Sequence, residues 1–203
     1  TVETAPAAPS SITSSVASVC GSGSVTLKIN GGSLGSGGAT WKWYKNGSST
    51  SFKTGTEITE TVTSTTTYSV KAEGGTCNNS TTPVTITIPV NVAAGTPSAS
   101  ASKTSICQGE SVELWVTGEP GTGGSWVWYE SDQVTIVQSN KVSPQSTKTY
   151  FVRSEKGACG DGPFSTAVVV NVKTQSIKPT GISVSERVTF CPGTGITLTV
   201  TGG

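Results

Sequence analysis

The sequence predicts an all-β protein built from tandem antiparallel β-sandwiches, and three observations lead to that prediction. Ser, Thr, Gly and Val dominate the composition, with only 12% of residues charged. Thr and Val favour strands, whereas Gly and Ser favour the turns between them. No window shows the i, i+3, i+4 apolar spacing of an amphipathic helix. Finally, the sequence repeats itself, which is typical of an array of small domains.

The repeat is clearest in one strand-like segment that occurs three times. Its copies are Val25-Thr-Leu-Lys-Ile-Asn-Gly31, Val112-Glu-Leu-Trp-Val-Thr-Gly118 and Ile196-Thr-Leu-Thr-Val-Thr-Gly202. A cysteine stands eleven positions before the final glycine of each copy. These cysteines, Cys20, Cys107 and Cys191, set a period of 87 and then 84 residues.

Two further segments recur in the same order and predict the domain boundaries. Trp41-Lys-Trp43-Tyr44 returns as Trp126-Val-Trp128-Tyr129, and the Tyr-centred segment that ends at Cys77 returns before Cys159. We therefore expect residues 1–3 to end a preceding repeat, 4–92 to form repeat one, 93–175 to form repeat two, and 176–203 to begin an incomplete third repeat. On this interpretation the chain comes from inside a longer array.

Each full repeat contains about seven short strand-favouring runs separated by Gly, Asn or Pro, which suits a two-sheet sandwich. In repeat one the strands are predicted near residues 12–19, 25–30, 40–45, 50–53, 57–62, 67–73 and 84–92. Because side chains alternate between the two faces of a strand, the spacing also predicts the core. The predicted inward residues are Val25, Leu27, Ile29, Trp41, Trp43, Tyr68 and Val70, with the counterparts Val112, Leu114, Val116, Trp126, Trp128, Tyr150 and Val152.

These residues resemble the immunoglobulin superfamily. Trp43, followed by Tyr-Lys-Asn-Gly, is similar to the buried tryptophan of the third strand, and Trp128 takes that place in repeat two. Ile29 with Val70, and Val116 with Val152, occupy the places of the usual inter-sheet cysteines. The resemblance therefore implies a sandwich whose ordinary core disulfide is replaced by aliphatic pairs.

Tyr68 and Tyr150 resemble the tyrosine corner at the start of the sixth strand. The resemblance implies that each phenol is part of the core and that its hydroxyl bonds to the backbone around Ser64 and Ser146.

A second resemblance is to a narrower group. A cysteine, a Gly or Ser, a Val-x-Leu strand, and a Gly-x-Cys after the Tyr strand are together similar to Ig-like repeats in giant surface proteins of Bacteroidetes. Those proteins include gliding adhesins and substrates of type IX secretion. The resemblance implies an extracellular, cell-surface location and a stalk or adhesive role in processes such as gliding motility.

The cysteines favour disulfides in an oxidising compartment. Pairing within each repeat would join Cys20 to Cys77 and Cys107 to Cys159. Immunoglobulin topology instead places Cys20 and Cys77 at opposite poles of one sandwich, too far apart for the roughly 7 Å that a disulfide allows between Cα atoms. In a head-to-tail array we therefore favour the inter-repeat bond Cys20–Cys159, with Cys77, Cys107 and Cys191 bonded to repeats outside this chain.

Catalysis has little support in this composition. The chain has no His, and its only aspartates are Asp132 and Asp161, so the usual general acid–base groups are scarce. We expect no enzyme activity, no catalytic residues and no cofactor. No metal site is expected, because the segments that link the repeats lack carboxylates and a zinc site lacks ligands.

Partners are expected to be neighbouring repeats of the same chain. The 13 basic and 12 acidic residues are scattered, which argues against nucleic acid, and no apolar run is long enough to span a bilayer. One candidate ligand patch remains: Tyr129, Phe151 and Arg153 fall on outward positions of neighbouring strands and form a candidate contact for a surface glycan or protein.

The function predicted from the sequence is a structural stalk or spacer in a long cell-surface adhesin. Two alternatives stay open, namely adhesive repeats that bind a glycan or a protein, and an accessory β-sandwich module of a larger secreted enzyme.

Overall fold

A computed structural model describes residues 2–77, 80–184, 189, 192–193 and 195–202. Every regular element in these residues is a strand, and most of the strand pairs are antiparallel, which confirms the predicted all-β class. The first sandwich consists of β1 (Ser11–Ser14), β2 (Val19–Cys20), β3 (Gly23–Asn30), β4 (Thr40–Lys45), β5 (Lys53–Thr54), β6 (Glu57–Val62), β7 (Thr66–Glu73), β8 (Val84–Ile88) and β9 (Val90–Asn91).

The first sandwich has two main sheets. One has the strand order β1-β3-β6 and the other β5-β4-β7-β8. Antiparallel partners in the second sheet place Trp43 opposite Val70 and Trp41 opposite Ala72. All four of these side chains are buried, because the alternation along β4 and β7 turns them to the same inner face.

The predicted first strand is divided into two strands that belong to different sheets. Its first half, β1, pairs antiparallel with β3, so that Ile12 lies opposite Ile29. Its second half, β2, pairs in parallel with β9, so that Cys20 lies opposite Asn91. β2 ends opposite Asn91, the last residue of β9, and this pairing fixes the position of Cys20.

The core of the first sandwich follows the predicted alternation. Trp43 has no exposed surface, and its indole Nε1 donates a hydrogen bond to the Gly55 carbonyl at 2.9 Å. Ile29 and Val70 are buried in the same cluster. Ile29 and Val70 occupy the positions that the immunoglobulin resemblance assigns to the inter-sheet cysteines. Because both are aliphatic, hydrophobic burial stabilises this contact in place of a covalent bond.

The second sandwich consists of β10 (Ser98–Ala101), β11 (Ser105–Cys107), β12 (Val112–Thr117), β13 (Ser125–Tyr129), β14 (Ile136–Val137), β15 (Lys141–Val142), β16 (Lys148–Glu155) and β17 (Val168–Lys173). Its sheets have the orders β10-β12-β15 and β11-β17-β16-β13-β14. Trp128 is 7% exposed and Val152 is fully buried. β11 pairs in parallel with β17, as β2 does with β9.

Beyond the second sandwich, β18 (Gly181–Val184) and β19 (Leu198–Thr201) form an antiparallel pair with exposed side chains. Cys191 lies outside the described residues. The chain divides into two compact units, the first of Thr1–Pro97, Gly118–Trp126 and Arg153–Phe164, and the second of Ser98–Thr117, Val127–Val152 and Ser165–Gly203. Three segments of the predicted repeat two therefore belong to the same unit as repeat one, namely residues 93–97, 118–126 and 153–164.

Candidate functional site: a disulfide-closed junction

The first unit contains a disulfide between Cys20 and Cys159, with 5.7 Å between the Cα atoms and 139 residues between the two positions. The Cα separation lies within the usual range for disulfides. This is the pairing that the topology argument favoured. Among the cysteines that the structure describes, Cys77 and Cys107 are exposed thiols, so the alternative pairings within each repeat are not present.

Cys20 is positioned by the end of β9. The Gly21 N–H donates to the Asn91 carbonyl at 2.9 Å, and the Asn91 side-chain amide donates to the Ser18 hydroxyl at 3.1 Å. These bonds hold the backbone on both sides of Cys20 against the last residue of the strand. Cys20 itself is exposed, because at this end of the strand its side chain points away from the core.

Cys159 lies in a short loop after β16. Gly160 N–H donates to the Gly157 carbonyl at 2.9 Å, and Lys156 N–H donates to the Asp161 carboxylate at 3.1 Å. Lys156 has a positive φ of 59°, a left-handed conformation that non-glycine residues seldom adopt. The loop is thereby folded back on itself, and Cys159 is presented from a closed turn rather than from a free segment.

A set of hydrogen bonds made by Val92, Thr122 and Ala158, which we call the junction, lies in the same unit as the disulfide. Thr122 N–H donates to the Val92 carbonyl at 2.8 Å, and Val92 N–H donates to the Thr122 hydroxyl at 2.8 Å. Ala158 N–H then donates to the Thr122 carbonyl at 2.8 Å. Thr122 thus connects the segment after β9 to the loop that carries Cys159.

Gly121 makes this close approach sterically feasible. Its φ is +77°, and a Cβ at this position would lie 2.7 Å from the Val92 carbonyl oxygen and 2.7 Å from the Ala94 nitrogen. Any side chain would separate the two backbones. Gly121 was not predictable, because nothing in the sequence distinguishes it from the other glycines of its loop.

Ser154 supports the junction from inside. It is completely buried, and its hydroxyl donates to the Pro120 carbonyl at 2.5 Å. The Ser154 carbonyl in turn accepts the Gly162 N–H at 2.8 Å. A buried hydroxyl needs a partner. Ser154 therefore holds the loop of Pro120 through its hydroxyl and the loop of Gly162 through its carbonyl. Sequence reasoning also missed Ser154, because an isolated serine in a Ser-rich chain carries no distinguishing pattern.

The opposite pole of the first sandwich has the same arrangement with different residues. Thr4 N–H donates to the Ser36 hydroxyl at 2.8 Å, and Ser36 N–H donates to the Thr4 carbonyl at 3.2 Å. Thr76 N–H donates to the Gly37 carbonyl at 3.0 Å. Cys77 follows directly in the chain, as Cys159 follows Ala158.

The thiol at this pole faces a carboxylate. Cys77 Sγ donates to Glu3 Oε2 at 3.5 Å, and the Thr76 hydroxyl donates to the same oxygen. Loss of hydration and the nearby Glu3 carboxylate raise the pKa of Cys77. The thiolate is the nucleophilic form of cysteine, and the raised pKa lowers the fraction of Cys77 in that form at a given pH.

The candidate ligand patch is not an exposed aromatic surface. Tyr129 is only 4% exposed, and Phe151 and Arg153 are half-buried. Arg153 pairs with Glu155 at 2.8 Å and Asp161 at 3.4 Å and lies over the Phe164 ring. The expectation for Tyr129 was wrong because strand alternation gives the face of the sheet, whereas burial on that face depends on the side chains that cover it.

The equivalent tyrosine of the first sandwich shows how such a residue is covered. Tyr44 is 5% exposed, its hydroxyl donates to Glu73 Oε2 at 2.5 Å, and Lys71 lies 5.1 Å from the ring centroid. Burial and the bond to Glu73 raise the pKa of Tyr44 to about 12. The hydrogen bonds from Lys71 and Tyr44 keep the pKa of Glu73 below its usual value. Tyr44, Lys71 and Glu73 thus cover this face of the sheet, and the Glu73 carboxylate is paired with Lys71.

The core tyrosines are buried, as expected, at 1% exposure for Tyr68 and 4% for Tyr150. Their hydroxyl contacts differ from the expectation. Among the residues described, neither hydroxyl bonds to the backbone near Ser64 or Ser146, and the Ser64 carbonyl accepts its hydrogen bond from the Thr66 hydroxyl at 2.7 Å. The carbonyl that the tyrosine-corner resemblance assigned to Tyr68 is therefore bonded by Thr66 in this structure.

No three His, Cys, Asp or Glu side chains in the described part of the chain gather as a metal site requires. Within the same residues, no helix is long and apolar enough to cross a membrane.

The sandwiches are immunoglobulin-like domains, and residues 6–89 match the family described as "Ig-like domain CHU_C associated", a Bacteroidetes-type domain. Among curated proteins, no relative matches the chain.

Solved structures share the fold at low sequence identity. Murine CEACAM1b is 17% identical with a TM-score of 0.53, over 80% of this chain and 99% of that one. A chain from the complex of a mouse coronavirus receptor-binding domain with its murine receptor is 13% identical, with a TM-score of 0.58 over the same shares. The titin I-band fragment I67–I69 is 14% identical, with a TM-score of 0.50 over 84% of this chain and 67% of that one. At these identities the likeness establishes the fold alone.

Proposed function

We propose that this chain is a stalk segment of a long cell-surface adhesin, in which tandem Ig-like repeats act as spacers and a disulfide carries load from one repeat to the next. The observation that carries the proposal is the Cys20–Cys159 bond. Under the proposed boundaries of 4–92 and 93–175, this bond joins repeat one to repeat two.

The mechanical consequence follows from where the bond lies along the chain. A force applied at the two ends passes from Cys20 through the sulfur atoms to Cys159 and bypasses the residues between them. At roughly 3.5 Å per extended residue, the loop of 139 residues withholds about 480 Å of extension. A spacer with this bond keeps its length under a pull that unfolds an unlinked pair of sandwiches.

The junction supports the same role. Gly121 brings two backbone segments together, and Thr122 bonds to both Val92 and Ala158. Such bonds order the segment between the repeats beside the disulfide, so that flexibility at the boundary is reduced. The proposal includes an extracellular location, since disulfides persist in oxidising compartments, and a role without catalysis, as is typical of Ig-like domains.

The adhesive alternative loses the observation on which it depended. The patch of Tyr129, Phe151 and Arg153 was expected to be exposed, but Tyr129 is buried and Arg153 is paired with Glu155 and Asp161. Binding to a panel of surface glycans by the chain, lost on substitution of Phe151, would restore that alternative.

The test is single-molecule stretching of the chain between handles at its two ends. Oxidised protein is expected to lack about 480 Å of unfolding extension that appears after reduction or in the double variant Cys20→Ser/Cys159→Ser. The matched control, Cys77→Ser/Cys107→Ser, is expected to stretch like the parent protein. Equal extension in the oxidised and reduced states would overturn the load-bearing role.

A further inference from the structure

The two remaining described cysteines occupy the same local positions as the two that are bonded. Cys107 corresponds to Cys20, since each ends a short strand that pairs in parallel with the last strand of its sandwich. Cys20 lies opposite Asn91, and Cys107 lies opposite Lys173. The next N–H in each case donates to that partner's carbonyl, at 2.9 Å from Gly21 and 3.1 Å from Gln108.

Cys77 corresponds to Cys159 in the same detail. The residue before each cysteine donates its N–H to the glycine-rich loop, from Thr76 to Gly37 and from Ala158 to Thr122. That loop also holds the segment that enters the sandwich, through Ser36 at Thr4 and through Thr122 at Val92. The surroundings of the bonded cysteine are therefore reproduced around the free thiol.

From this correspondence we infer that Cys107 and Cys77 each supply one half of a further inter-repeat disulfide of the same kind as Cys20–Cys159. Cys107 bonds to the Cys77-type cysteine of the repeat that follows, and Cys77 bonds to the Cys107-type cysteine of the repeat that precedes. The partner is a neighbouring Ig-like repeat of the same kind. This inference depends on the proposed function, because it requires an array of stalk repeats.

The chemistry is thiol–disulfide exchange with a small disulfide oxidant such as oxidised glutathione. One cysteine thiolate attacks the oxidant and releases one glutathione thiol. The second cysteine thiolate then displaces the other glutathione from the mixed disulfide. Two cysteine thiols lose two electrons and two protons in total, and one glutathione disulfide becomes two thiols.

The consequence is a set of overlapping loops. The bond from Cys20 closes beyond Cys107, so a bond that starts at Cys107 begins inside the first loop. Each later bond begins inside the loop before it. Every repeat in such an array is bridged by at least one covalent link, and no repeat extends fully while its neighbours remain oxidised.

The test is a longer chain in which residues 1–173 are followed directly by residues 4–203, so that Thr4 follows Lys173 as Val92 follows Asn91. This join keeps the separation between Cys107 of the first half and Cys77 of the second half within one residue of the 139 residues in the existing bond. After refolding with oxidised and reduced glutathione, peptide mapping by mass spectrometry is expected to find Cys20–Cys159 in both halves and Cys107–Cys77 across the join. Two thiols are then lost relative to the separate halves.

The matched control is Cys107→Ser in the first half only. It is expected to abolish the new bond while both Cys20–Cys159 bonds remain, which also shows that the chain has folded. If Cys107 of the first half reacts fully with iodoacetamide while both Cys20–Cys159 bonds are present, the inference is wrong and the stalk proposal stands. Absence of Cys20–Cys159 from the parent chain would instead overturn the load-bearing role.

Discussion

The two sandwiches share a plan but differ in the depth of their cores. In the first, β6 contributes Ile58 and Val62 to the buried cluster. The strand in that place in the second sandwich, β15, has only two residues. Trp41 is buried, whereas its counterpart Trp126 is half-buried. A smaller buried apolar surface gives less stability, so the second sandwich depends more on links such as Cys159.

The first sandwich also has the larger ion-pair cluster on its outer face. In the first sandwich Glu60 accepts bonds from both Lys45 and Lys53 at 2.5 Å, and Lys45 also lies 4.3 Å from the Phe52 ring centroid. The second sandwich has the single pair Lys148–Glu130 at 2.6 Å in the corresponding region. The repeat pattern fixes the inner residues more strictly than the outer ones, since burial selects for shape and apolarity.

The largest expected effect separates the two cores. Trp43→Ala removes a fully buried indole and its bond to Gly55 and is expected to cost about 3–5 kcal/mol of unfolding free energy. Trp128→Ala is expected to fall at the lower end of that range, because Trp128 keeps 7% exposure in a smaller core. Urea unfolding followed by circular dichroism measures both. A larger loss for Trp128→Ala would reverse the comparison.

The next effect concerns the covalent link. Cys20→Ser/Cys159→Ser is expected to lower stability by about 2–4 kcal/mol, because the bond restricts a long loop in the unfolded chain. Cys77→Ser/Cys107→Ser serves as the control and is expected to leave thermal unfolding unchanged, since both thiols are exposed. Limited proteolysis is expected to cut the second sandwich first in the variant that lacks the Cys20–Cys159 bond. Preferential cutting in the first sandwich would contradict the difference in cores.

Some of the features behind these effects could be predicted from the sequence, and others could not. The strands and the inner residues were predictable, because an alternating strand pattern written twice leaves few choices of register. The Cys20–Cys159 pairing followed from strand lengths and the superfamily's topology. The inner residues needed only the order and spacing of residues, whereas the disulfide pairing also needed the topology that the immunoglobulin resemblance implies.

Other features needed the surroundings of a residue. Tyr129 has the outward parity of an exposed aromatic, yet it is buried. Gly121 lies in a loop with several glycines, and nothing in the sequence tells which one touches another backbone. The Ser64 carbonyl was assigned to Tyr68 by analogy, but it accepts from the Thr66 hydroxyl. Cover, close approach and the choice of hydrogen-bond partner are properties of the packed structure.

A smaller effect is expected from acid, and in the first sandwich Glu60 contributes to it. Burial alone raises the pKa of Glu60, but the hydrogen bonds from Lys45 and Lys53 outweigh it, so the pKa lies below its usual value of 4.5. A carboxyl with a lowered folded pKa stabilises the protein above its unfolded pKa, and this contribution is lost as the pH falls through the folded pKa. The melting temperature is therefore expected to fall below about pH 4.5.

Glu60→Gln tests the origin of that fall. The amide keeps the shape of the side chain but cannot ionise, so the variant is expected to melt lower than the parent at pH 7 and to lose less on acidification. Glu57→Gln, on the exposed start of the same strand, is the matched control and is expected to follow the parent curve. An unchanged acid dependence in Glu60→Gln would mean that the Lys45–Glu60–Lys53 cluster contributes nothing measurable.

The smallest expected effect lies on the outer face of the second sandwich. Trp115 is 54% exposed on β12, opposite Ser100, and Lys28 holds the same place in the repeated segment of the first sandwich. Trp115→Lys is therefore expected to change the unfolding free energy by no more than about 0.5 kcal/mol. It is also expected to remove the fraction of tryptophan fluorescence that acrylamide quenches most readily, whereas Trp43 is shielded. A loss of stability as large as that of Trp128→Ala would show that Trp115 is covered by a packed neighbour and that the outer faces of the two sandwiches are not equivalent.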